Sequence, residues 1–133
     1  MATTPSSLWR AEVLQEASAL AAGTLTPDKA FMTQLFPVAM LDSTDAVLAA
    51  FEANVSRLGQ PTDQQVLDAV EKVVLALNAV NDAFDGSAYE TGERELLCDF
   101  IDATLSEYGV DVPALAARQG LHRYALTDRW RDW

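Results

Sequence analysis

The chain has 133 residues, half of them hydrophobic, with 9 Lys+Arg against 20 Asp+Glu and a formal net charge of −11. That is the length of one domain, with apolar content sufficient for a packed core, which excludes a disordered chain. No apolar run approaches the ~18 residues of a membrane-spanning helix, and no basic start leads into an apolar stretch as in a secretory signal, so a cytoplasmic protein is expected.

The charge is unevenly placed. Residues 1–62 carry 3 basic and 6 acidic side chains, residues 63–112 carry 2 and 12, and residues 113–133 carry 4 and 2. Nucleic-acid binding requires a Lys/Arg patch to displace counterions, and an anionic membrane surface requires the same sign of charge. Neither partner is expected. A basic protein fits the acidic middle of the chain better.

In chain order, the first helix is expected over Ser7–Ala22, with 1–6 a flexible N-terminus. Trp9, Val13, Ala17 and Leu20 fall at helical spacing, and Gly23 provides the stop. Thr26-Pro27-Asp28 reads as the start of a short second helix, ended before Pro37. A third helix is expected to follow Asp42-Ser43-Thr44-Asp45, carrying Val47, Leu48, Phe51, Val55 and Leu58. Thr62 and Gln65 form a capping box, after which Val66, Val70, Val73, Leu77, Val80 and Phe84 repeat every 3.5 residues on average. A fifth helix from Thr91 to Tyr108 presents Leu96, Leu97, Phe100, Ile101 and Leu105. Asp111-Val112-Pro113 opens a short sixth helix, and 121–133 is expected to dock on the bundle. No segment alternates as a half-buried strand does. The expected fold is an all-α, single-domain bundle of five to six helices, with the fourth and fifth as its core pair.

Catalytic and metal chemistry have little to work with. His122 is the only imidazole, which excludes metal motifs that need two, and no phosphate-binding loop, dinucleotide fingerprint or nucleophile elbow occurs. Cys98 sits on an amphipathic helix and reads as a small core side chain. The stretch from Asp82 to Glu93 superficially resembles a calcium loop. With Gly86 at the sixth loop position, Ala83 and Gly92 occupy positions that must supply oxygen ligands. No catalytic residue, metal site or cofactor is therefore expected, and the chain is not expected to be an enzyme.

The candidate partner-binding residues are acidic and aromatic. Glu95, Asp99 and Asp102 fall at i, i+4 and i+7 on the fifth helix, with Asp82, Asp85 and Glu90 preceding them. A solvated helix face is the simpler reading, and a surface for cationic side chains is the sharper one. Trp130 and Trp133 complete the candidate set, because Trp is enriched at interface hot spots. The competing expectation is that one helical turn docks both indoles on the bundle, with Arg129 or Arg131 near the acidic residues of the fourth and fifth helices.

Glu93-Arg-Glu-Leu-Leu-Cys98-Asp-Phe-Ile-Asp102, Tyr108-Gly-Val-Asp111 and Leu126-Thr-Asp-Arg-Trp130-Arg-Asp-Trp133 resemble a group of small, acidic, uncharacterised bacterial proteins with this kind of ending. The resemblance covers about the last half of the chain and implies no activity. The expected function is that of a non-catalytic acidic interaction protein, an immunity or inhibitor type of binder for a basic protein. The alternative is a helical regulatory protein that binds a small ligand or a divalent metal. Oligomeric state is left open.

Overall fold

The computed structural model describes residues 4–86 and 88–133, with Thr33 and Gln34 described by their backbone alone. The order is α1 (Pro5–Ala21), a 3-10 turn at Pro27–Lys29, α2 (Met32–Leu35), α3 (Val38–Ser56), α4 (Asp63–Ala83), α5 (Thr91–Glu107), α6 (Val112–Arg118) and a second 3-10 turn at Arg123–Ala125. Among the described residues there is no strand, and the protein is an all-α single domain.

The capping box forms as expected: Thr62 Oγ1 accepts from Gln65 N–H, while Gln65 Oε1 accepts from Thr62 N–H. From that start α4 buries ten residues, including the whole 3.5-residue apolar series as far as Val80. At its far end Gly86 N–H reaches back to Asn81 O at 2.8 Å, and Asp85 and Gly86 both turn into the left-handed region at φ 62° and 72°. Glycine adopts that conformation freely, and Asp tolerates it better than most residues do.

Three sequence expectations shift. First, α1 begins at Pro5, so Pro5 and Ser6 belong to the helix and are buried instead of forming a flexible end; residues 1–3 lie outside the described part. Second, the helix expected from Thr26 breaks into the Pro27–Lys29 turn and the single turn of α2, separated by the extended residue Ala30 and by Phe31. The Glu16 carboxylate on α1 accepts from the Phe31 and Met32 backbone N–H groups and so caps α2 from outside. Third, α3 starts at Val38, directly after Pro37, so Asp42-Ser43-Thr44-Asp45 lies inside the helix. Its polar groups serve tertiary contacts. Arg10 on α1 binds Asp42 at 2.7 Å and Asp45 at 2.8 Å, Asp45 also accepts from Ser6 Oγ, and Thr44 is fully buried.

The core pairing also differs from expectation. The α4 helix lies most closely along α3, whereas α5 approaches α1, α3 and α6. The C-terminal segment instead bridges α4 to α5. Asn78 on α4 donates to Trp130 O at 2.6 Å and accepts from Asp132 N–H at 3.1 Å. Cys98 on α5 contacts Thr127 Oγ1 at 3.5 Å and Arg131 Nη1 at 3.3 Å.

An aromatic row ties both ends of the chain to this centre. Trp9 stacks on Phe36 with ring centroids 5.6 Å apart, and Tyr89 lies between Trp9 (6.3 Å) and Trp133 (5.5 Å, edge-on). Such pairs contribute about 0.5–1.5 kcal/mol beyond burial itself.

Candidate functional site

The acidic surface is built by the end of α4, the connection after it and the first turns of α5. Asp82 falls on the exposed side of α4, opposite Val80 and Asn81, which are buried. Asp85 is presented by the left-handed turn that closes the helix. Asn81, buried at 2% exposure, holds the returning chain by accepting from Ala88 N–H at 2.9 Å and Tyr89 N–H at 3.4 Å. Glu90 then precedes α5, whose inward face is Leu97, Phe100, Ile101, Thr104 and Leu105, leaving Glu95 and Asp99 outside.

Asp82, Asp85, Glu90, Glu95 and Asp99 are all exposed, and none takes part in an ion pair among the described residues. Asp102 separates from them. Arg123 donates to both its oxygens, at 2.7 and 3.1 Å, so its charge is spent inside the molecule. The same contact raises the Arg123 pKa above its ordinary value. No three His, Cys, Asp or Glu side chains among the described residues are grouped so as to hold a metal ion.

The two candidate tryptophans are packed. Trp133 is 9% exposed against Tyr89, and Trp130 is half-buried. They do not share a helical turn, because the last three residues have no regular structure; Asn78 fixes their backbone instead. Arg129 stacks on Trp130 at 5.4 Å and Arg131 on Trp133 at 5.5 Å. The carboxylate partner of Arg131 is Asp128 of the same segment, at 3.0 Å, and the link to an acidic residue of α5 comes from Arg123. The Trp133 indole N–H is buried without an acceptor among the described residues.

His122 is exposed and accepts from Tyr124 N–H through Nδ1 at 3.3 Å, capping the second 3-10 turn. Cys98 is half-buried against the tail. The Tyr89 hydroxyl pairs with Thr44 Oγ1 at 2.6 Å, and burial pushes its pKa up to about 12. Asn78, Asn81, Thr44 and Tyr89 carry internal polar contacts, a role that sequence reading assigned to none of them; Thr44 was read as part of a helix start. The signal available was two asparagines on the apolar side of the α4 repeat.

A separate cleft of about 450 Å³ opens between the α3–α4 and α5–α6 connections, lined by Gln60, Asp63, Tyr108, Val110, Asp111 and Arg118 among others. Arg118 grips Asp63 through two bonds of 2.7 and 2.8 Å, which holds the Asp63 carboxyl below its usual pKa. Desolvation first, then the Glu52 and Glu107 carboxylates, raise the Tyr108 pKa.

Comparison of the chain with protein-family models, curated proteins and solved structures gives no match. Among the described residues no helix is long and apolar enough to cross a membrane.

Proposed function

We propose that the protein is a non-catalytic interaction protein that binds a basic protein partner through the acidic surface at the α4–α5 connection, in the manner of an immunity protein or inhibitor. One observation carries this reading: five exposed carboxylates between Asp82 and Asp99 lack a cationic partner among the described residues, while four of the chain's arginines are engaged elsewhere. Over 82–99 the chain has six acidic side chains and one basic one. A field of one sign over a rigid helix end steers oppositely charged proteins and accelerates their association. The buried contacts of Asn81 fix the turn, so the carboxylates are presented without a large ordering cost.

The test compares affinity capture of basic proteins from cells by wild type and by Asp85→Asn/Glu90→Gln/Asp99→Asn. Wild type should retain a basic protein that is released as salt rises past the range where exposed charges are screened. The variant should lose it while keeping its helical spectrum. Equal retention by both would contradict the reading.

The cleft supports a second reading, small-ligand binding, since 450 Å³ falls within the usual ~300–1,000 Å³ of ligand pockets. Saturable thermal stabilisation by a small polar metabolite, lost in Arg118→Met, would favour it over the first.

A further inference from the structure

We propose that Arg123 is an internal competitor for the acidic surface: its guanidinium holds Asp102 out of that surface until an arginine of the basic partner displaces it. The inference rests on the acidic-surface reading and concerns how that surface is regulated. At 100° per residue, Glu95, Asp99 and Asp102 fall within about 60° around the α5 axis, so they form one stripe. Glu95 and Asp99 are exposed and make no ion pair among the described residues, whereas Asp102 is already taken.

The occupant of Asp102 shows what the stripe accepts. Arg123 Nη2 and Nε each donate to one carboxylate oxygen, at 2.7 and 3.1 Å. A guanidinium makes this two-pronged fit and an ammonium does not, so the matching group on a partner is an arginine. Carboxylates at this spacing repel one another along a helix, and a cation on the stripe relieves the repulsion. Arg123 supplies that relief in the free protein, and an arginine of the partner would supply it in the complex. Both oxygens of Asp102 can be gripped by one guanidinium at a time, so the two compete.

Release is local. The Arg123 side chain is 34% exposed, and its guanidinium lies 5.6 Å from the centroid of the exposed Tyr124 ring. That ring face gives the cation a resting place off Asp102. The anchors of the tail do not pass through Arg123. Asn78 holds Trp130 O and Asp132 N–H, Cys98 meets Thr127 and Arg131, and Trp133 packs on Tyr89. One side chain can therefore swing away and complete the stripe without detaching the tail. Because the pair is partly open to solvent, the competition tunes affinity by a few-fold and does not shut the surface.

Isothermal titration calorimetry of the full chain with a hexa-arginine peptide at low salt tests it. Arg123→Met should lower the Kd about threefold and keep the helical spectrum. Asp102→Asn/Arg123→Met should return the Kd to the wild-type value, because the carboxylate that was released is gone. Arg57→Met removes the same charge from an exposed arginine at the end of α3 that makes no ion pair among the described residues, and should gain clearly less. A gain in Arg123→Met no larger than in Arg57→Met, or a gain that persists in Asp102→Asn/Arg123→Met, would overturn the competitor and leave the acidic surface standing. Wild-type affinity in Asp85→Asn/Glu90→Gln/Asp99→Asn, or no binding by either wild type or Arg123→Met, would overturn the acidic-surface reading and the competitor with it.

Discussion

The two ends of the chain contrast regular structure with anchorage. The first seventeen helical residues form an unbroken α-helix, yet only three are buried. The last residues, 131–133, have no regular structure, yet Trp133 is buried and the backbone is held on both sides by Asn78. The α1 helix satisfies its own backbone and therefore needs little from its surroundings. The tail cannot do so, and it is held by other elements: an α4 amide that donates and accepts at once, Cys98 on α5, and the packing of Trp133 on Tyr89. Hydrogen bonding within an element gives it shape, whereas contacts to other elements decide how firmly it is held.

The largest effect expected from this contrast is at Trp133. Replacing it with Ala removes the ring that packs edge-on against Tyr89, and should cost about 3 kcal/mol, near the low end for a buried aromatic because its N–H is unpaired. Thermal unfolding should drop by roughly 10 °C, almost independently of salt. A loss that vanished in high salt would mean that charge, not the indole, fixes the tail.

A smaller effect is expected at Tyr89. Its pKa is about 12 in the folded chain against 10 for a free tyrosine, so the neutral phenol is favoured by folding. Between those values the unfolded chain gives up a proton that the folded chain retains. Stability is therefore fully present below pH 10 and should fall by about 2–3 kcal/mol as the pH rises towards 12. Tyr89→Phe should cost about 1 kcal/mol at neutral pH through the lost Thr44 bond, and should flatten the alkaline decline. Denaturant melts of both proteins at several alkaline pH values measure the difference. An equally steep decline in the variant would place its origin elsewhere.

The smallest effect is expected at Arg123. Its pair with Asp102 is partly exposed, with 34% and 19% of the side chains open to solvent. Arg123→Met should lower the denaturant midpoint far less than Trp133→Ala does, and less still in high salt. A loss as large as that of Trp133→Ala would reverse the ranking of charge and packing in the tail.

How much of this was legible in the sequence follows from which interactions are local. The limits of α4 could be read because its cap and its apolar repeat are both written within the helix. The Asp111 cap of α6 could be read for the same reason, with Ala114 N–H bound at 3.1 Å. The start of α3 was misplaced because Asp42-Ser43-Thr44-Asp45 has the composition of a cap, while its partners, Arg10 and Tyr89, lie far away in the chain. The bridge of the tail to Asn78 spans more than fifty residues, and no local pattern announces it. Of the candidate surface, the charges at Asp82, Asp85, Glu90, Glu95 and Asp99 were legible as charges and are exposed. That Asp102 is neutralised by Arg123 was not, because composition does not say which opposite charges meet.

Native-state hydrogen exchange, measured residue by residue, tests the contrast between the two ends most directly. The Asp132 amide, bound to Asn78 Oδ1 at 3.1 Å, should exchange at least about a hundredfold more slowly than the α1 amides from Gln15 to Ala21. Rapid exchange at Asp132 beside strongly protected amides in the outer turns of α1 would contradict the account.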